Sequence, residues 1–190
     1  MPTPASSYLD GRLLVAMPGI EDPRFERAVI LVCTHDERHA MGLVVNRPVE
    51  GLSLHGLLAR LGVDPGAARD APVLVGGPVE TERGFVLHTC EAGLGALGVP
   101  VPGGYTLSAS REILEGLAGR GQVPRQAILA IGYAGWDAGQ LEQEIRNSVW
   151  LTADADEALL FDLDHATKWA RALAAMGISA ERLSAQPGRA

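Results

Sequence analysis

Lysine is nearly missing from this sequence: Lys168 is the only one in 190 residues. Acidic side chains outnumber basic ones by 23 to 16, for a formal net charge of −7. Phosphate contacts from basic side chains supply much of the affinity for nucleic acid, and an acidic surface repels polyanions at long range. The balance therefore disfavours direct nucleic-acid binding and attachment to anionic membranes. Apolar runs are short. The longest strongly apolar one, residues 28–33, has six residues, whereas a membrane-spanning helix needs about 20. Residues 1–10 hold Pro2, Pro4, two serines and Asp10, without the basic start and apolar centre of a secretory signal. Cys33 and Cys90 are the only cysteines. Without an export signal they are expected to be reduced thiols in a cytoplasmic protein. The G-x-S-x-G elbow, the G-x-x-x-x-G-K-[ST] loop and the G-x-G-x-x-G fingerprint are missing too, which removes the best-marked routes to hydrolase, NTPase and dinucleotide sites.

The length suits one domain able to bury roughly 70% of its unfolded surface. Aromatic content is 5%, so Leu, Ile, Val and Ala must do most of the packing. The expected organisation is a disordered start at 1–10, a single domain over 11–183 and a tail at 184–190.

Periodicity and punctuation predict the elements. Strands are expected at 11–17, 28–34, 41–46, 72–76, 84–89, 104–107, 127–132 and 150–152. The second and third should form a hairpin across His35–His39. Asp22 and Pro23 predict a single helical turn through Phe25. Ser53 is a good N-cap for a helix with Leu54, Leu57, Leu58 and Leu61 on one face, ended by Gly62. Ser108 or Ser110 should cap a second helix through Leu117. Asp137 with Gln140 three residues on predicts a capping box, with Leu141 and Ile145 inward and a Glu142–Arg146 pair outward. A short helical turn from Asp154 and a last helix over 165–176, with Trp169 and Leu173 inward, complete the chain. Mixed strands and helices without a strict βαβ rhythm imply an α+β fold with a curled, mostly antiparallel sheet.

Two glycine-punctuated cassettes, residues 76–88 and 132–142, stand out. They read as strands broken by sharp turns, where glycine lets backbones approach closely. Together with Leu14-Val15-Ala16-Met17-Pro18, Asp22-Pro23-Arg24-Phe25, Cys33-Thr34-His35-Asp36, residues 40–48 and Trp150-Leu151-Thr152, they make the chain resemble the AlgH/YqgE family of small bacterial proteins. The resemblance covers nearly all of it. It departs at Thr34, where the family often has an acidic residue, and at the tail Gly188-Arg189-Ala190, where the family often ends Gly-His-Ala. The resemblance implies a curled, partly barrel-like sheet packed with helices, and a family named for a proposed regulator of exopolysaccharide gene transcription.

Candidate chemistry is sparse. Cys33 with His35, and His88 with Cys90, each share a strand face at i, i+2. Two neighbouring strands carrying them would offer a tetrahedral zinc set, but turn-spaced cysteines are lacking, so no metal and no cofactor are expected. A Cys33–His35 or Cys33–His88 dyad would need an activated thiol, yet Cys33 ends an apolar run. The remaining group is polar: Asn46, Arg47, Arg83, His88, Trp136 and Glu142 fall at strand ends or turns, where function concentrates on rigid sheets. The plainer alternative is structural, with Arg83 paired to Glu142, Asn46 tying a turn and His88 bonded to backbone. The leading expectation is a non-enzymatic binding or regulatory protein that recognises an unidentified protein or small ligand. The alternatives are a hydrolase-like enzyme using Cys33 or His88 and a transcriptional regulator acting directly on DNA.

Overall fold

The computed structural model describes residues 8–91 and 93–184. Most of the expected disordered start and nearly all of the tail lie outside these residues. Ten strands make one curled sheet: β1 (Arg12–Ala16), β2 (Val29–His35), β3 (His39–Val44), β4 (Pro48–Ser53), β5 (Pro72–Val75), β6 (Val79–Thr89), β7 (Val99–Val101), β8 (Tyr105–Ser108), β9 (Ala127–Asp137) and β10 (Trp150–Asp154). The helices are α1 (Leu54–Arg60), α2 (Arg111–Leu117), α3 (Gln140–Arg146), α4 (Glu157–Leu160), α5 (Lys168–Ala175) and α6 (Ala180–Ser184). Along the sheet the order is β10-β1-β2-β3-β9-β6-β8-β7, with antiparallel neighbours. β5 runs parallel to β9 and pairs antiparallel with β4. The fold is α+β and mostly antiparallel, as expected. Among the described residues no helix is long and apolar enough to cross a membrane.

Both faces of the central strands are covered, which explains the unbroken apolar run at 28–33. Successive residues alternate between two cores. Leu13, Val15, Val29 and Leu31 pack inside the curl with Leu160, Trp169 and Leu173 of α4 and α5. Leu14, Ala16, Ile30 and Val32 pack outside it with Leu141 of α3, Trp136 and Trp150. A third cluster joins Leu54 and Leu58 of α1 and Ile113 of α2 to Val73, Val86 and Leu129. Each such side chain contributes about 1.5–3 kcal/mol by leaving water.

Several expectations are corrected. The second cassette is not a sharp turn. β9 passes straight through it to Asp137, because its first half pairs with β6 and its last residues pair with β3. Gly132, at φ 73°, marks the bend. A Cβ on Gly132 would overlap the Gly77 carbonyl oxygen, so the two cassettes meet backbone to backbone. Asp137 is not the cap of α3; Gly139 occupies the N-cap in a left-handed conformation. Half of the box survives, since the Asp137 N–H donates to Gln140 Oε1 at 3.0 Å. Arg146 donates to Gln143 rather than pairing with Glu142. Leu61 is exposed and lies past the end of α1. β4, β7 and α6 had no counterpart in the predicted elements.

Candidate functional site

A hollow of about 490 Å³ opens where the corner after β3 meets α5 and α6. Asn46 builds its floor. Its Oδ1 accepts from the Val29 N–H at 2.9 Å, and its Nδ2 donates to the Arg27 carbonyl at 2.8 Å. One side chain thus prolongs the β2–β3 ladder and clips the segment before β2. Arg47 ties the same segment, donating to the Glu26 carbonyl at 2.8 Å and to the Arg24 carbonyl. Arg27 is held at φ 53°, a left-handed conformation that costs a non-glycine residue about 1–2 kcal/mol. Strain of this kind persists only where its surroundings over-determine it. Here the clip aims the Arg27 guanidinium over the Trp169 ring, 5.5 Å from its centre. Trp169 is itself pinned, its indole N–H donating to the Ala16 carbonyl at 2.9 Å.

The wall beside Arg47 is His165, which is 5% exposed. Among the described residues neither of its ring nitrogens has a hydrogen-bond partner. Burial, then the nearby Lys168 charge, pull its pKa down. The Val45 carbonyl, Asp162 and Asp164 push it up, the carbonyl without a well-formed hydrogen bond. Lys168, one turn further on, is fully buried. Its ammonium donates to the carbonyls of Val45 at 2.9 Å and Leu160 at 2.8 Å. Desolvation lowers its pKa to about 8, partly opposed by Asp162. Among the described residues Arg27, Arg47 and Lys168 have no carboxylate within 4 Å, whereas seven other arginines do.

Of the six predicted site residues, only Asn46 and Arg47 meet in this hollow. Trp136 lines a separate cleft of about 740 Å³ with Phe25, Pro18, Pro78 and Trp150. There Glu144 Oε2 accepts from both indoles, at 2.9 Å from Trp136 and 2.7 Å from Trp150. Arg83 pairs with Glu80 at 3.1 Å and lies over Phe85, not against Glu142. Glu142 instead faces His35 Nε2 at 3.1 Å. The Leu9 N–H donates to His35 Nδ1, so Nε2 carries the proton given to Glu142. His88 is fully buried. Its Nδ1–H donates to the Thr89 carbonyl at 2.9 Å and its Nε2 accepts from Ser108 Oγ at 2.8 Å. The six do not converge because β6 and β9 are antiparallel and eleven residues long. Glycine turns that are neighbours in the sheet therefore send their flanks to different places.

The zinc set does not assemble either. β3 and β9 separate β2 from β6, and among the described residues no three His, Cys, Asp or Glu stand together as metal ligands. Burial pushes the Cys33 thiol up to about 12, which leaves it protonated and unreactive.

An AlgH-like family model matches residues 13–181. The chain belongs to that family. A UPF0301 protein of Caulobacter vibrioides (strain NA1000 / CB15N) is 59% identical over 96% of this chain and 94% of its own. A UPF0301 protein of Paracoccus denitrificans (strain Pd 1222) is 49% identical over 97% and 98%. The solution structure of the AlgH protein from Pseudomonas aeruginosa is 40% identical, covers both chains completely and superposes with a TM-score of 0.74. Of the family-resembling segments, Asn46 and Arg47 line the hollow, and Met17–Pro18, Asp22, Phe25, Trp136 and Trp150 line the cleft.

Arg27, His165, Lys168 and Trp169 had no place among the predicted site residues, although Trp169 was expected to face inward. One signal was readable: the only lysine lies four residues before Ala172, on the stripe α5 turns toward the core, with His165 one turn earlier.

Proposed function

We propose that this AlgH-like protein is a cytoplasmic, non-enzymatic binding or regulatory protein that takes a small ligand in the hollow between the Asn46–Arg47 corner and α5. The observation that carries the reading is the buried, unpartnered His165 in the wall of a hollow whose rim is held by a strained Arg27. Buried polar groups normally find partners, and concave sites with a few fixed polar groups are where small ligands bind. An enzymatic role for Cys33 or His88 gains no support, since one thiol is desolvated and the other side chain has both nitrogens bonded. Direct DNA contact gains none from seven arginines already neighboured by carboxylates.

Native mass spectrometry of the protein purified gently from its own cells tests this. Wild-type protein should carry a small molecule that dissociates on denaturation, and Asn46→Ala, which releases Arg27 from its clip, should lose it. Recovery of the same molecule with equal occupancy on both proteins, or of none on either, refutes the proposal.

A further inference from the structure

Two arginines without a carboxylate within 4 Å among the described residues line the hollow of a chain that is otherwise acidic. Arg27 and Arg47 face the carboxylates of Glu26 and Glu181 across the exposed rim, while the buried Lys168 ammonium and the carboxylates of Asp162 and Asp164 lie behind it around His165. The formal charge of the whole chain is −7. The guanidinium groups are prepared for a ligand in different ways. That of Arg47 is fixed by two carbonyls, which consume only part of its five-donor fork. That of Arg27 sits over the Trp169 ring, and among the described residues its N–H groups have no hydrogen-bond acceptor. Guanidinium forks match the paired oxygens of carboxylate and phosphate. His165, 5% exposed, adds a ring to the wall whose two nitrogens are shut off from solvent and unpartnered among the described residues. α5 begins at Lys168 without a side-chain cap, so its first N–H groups add positive potential on the same side.

We infer that the hollow is an oxyanion site, in which a ligand places a carboxylate or phosphate group between Arg27 and Arg47 and against the His165 ring. This rests on the binding reading above and names its ligand class. The rim carboxylates of Glu26 and Glu181 oppose polyanions of high charge density, such as nucleic acid, and favour a compact ligand carrying one anionic group. A volume of about 490 Å³ falls in the range that holds small organic molecules.

The test is a ¹H–¹⁵N NMR titration of the full chain at low ionic strength, with inorganic phosphate in one arm, succinate in a second and sodium chloride as the control. One or both oxyanions should shift the Trp169 indole signal and the Arg27 and Ala166 amides saturably, while chloride does not. The arm that saturates at lower concentration identifies phosphate or carboxylate as the group recognised. Arg27→Gln should weaken binding at least about tenfold, the loss of one charge-assisted contact, with the remaining spectrum unchanged. Arg27 is the informative position because its guanidinium touches only the Trp169 ring, whereas Arg47 also ties the backbone. Linear, non-saturating shifts in both arms, or saturation undiminished in Arg27→Gln, overturn the inference. If a molecule without an anionic group is recovered in an Asn46-dependent way while both oxyanions fail, the oxyanion assignment falls and the binding reading stands. If nothing is recovered and both oxyanions fail, the two fall together.

Discussion

Lys168→Met provides a sharp physical test of the interior beside the hollow. The lysine is fully buried, bonded to two carbonyls and without a carboxylate within 4 Å among the described residues. Its pKa drops from 10.5 to about 8, mainly through desolvation. That lowering corresponds to about 3 kcal/mol of native-state penalty on the charged form at neutral pH. The sign follows from proton counts. Between the folded and unfolded pKa values the unfolded chain binds more protons, so stability rises with pH. The penalty is fully present below pH 8 and is relieved as pH climbs toward 10.5. From pH 7 to pH 10 the relief amounts to about 2–3 kcal/mol. Other alkaline groups, such as Tyr105 with its raised pKa, contribute to both proteins and cancel in the difference. Urea unfolding of wild type and Lys168→Met at pH 7, 8, 9 and 10 reads it directly. Wild type should gain about 2–3 kcal/mol relative to the variant across that range. Two curves that stay parallel within about 0.5 kcal/mol would mean that the ammonium is not desolvated, and the description of the interior would be wrong.

Four further outcomes are expected. Gly84 lies in extended backbone with open space for a methyl group, its built Cβ being 3.9 Å from Leu129 Cδ1, so Gly84→Ala should change stability by less than about 0.5 kcal/mol. Gly132→Ala should cost at least about 1–2 kcal/mol, because φ is positive and the Gly77 carbonyl blocks the Cβ. Arg83→Ala and Glu142→Ala should be additive within about 0.5 kcal/mol in denaturant unfolding, since the two side chains have different partners. An alkylating thiol reagent at pH 8 should label the exposed Cys90 and leave Cys33 untouched until the protein unfolds, a difference that peptide mapping resolves.

What was legible in the sequence divides along physical lines. The run at 28–33, the Ser53 cap and the turn at Asp22-Pro23 are local signals, and each appears as β2, α1 and a 3-10 turn capped by Asp22. β4 and β7 carry glycine, proline and exposed residues along the chain and exist because a neighbouring strand offers a ladder. β9 was cut short at Gly132 for the same reason: pairing with β3 carries it on to Asp137. The hollow was half legible. Asn46 and Arg47 lie at a recognisable strand end. Arg27 follows a 3-10 turn with no local mark of its left-handed backbone. His165 and Lys168 become part of the site only because α5 packs across the sheet more than 100 residues from Val45, as the 123-residue separation of the Lys168–Val45 bond records. The expected Arg83–Glu142 contact failed because cassette adjacency is made by glycine backbones, and backbone contact does not dictate where the flanking side chains go.

The proposed function turns on occupancy of the Arg27–Arg47–His165 hollow by a ligand. A crystal structure of protein isolated from its own cells, without denaturation or added anions, tests it most directly. Non-solvent density in contact with both guanidinium groups and packed against the His165 ring is predicted. Ordered waters alone in the hollow, with both guanidinium groups turned to solvent, would contradict it.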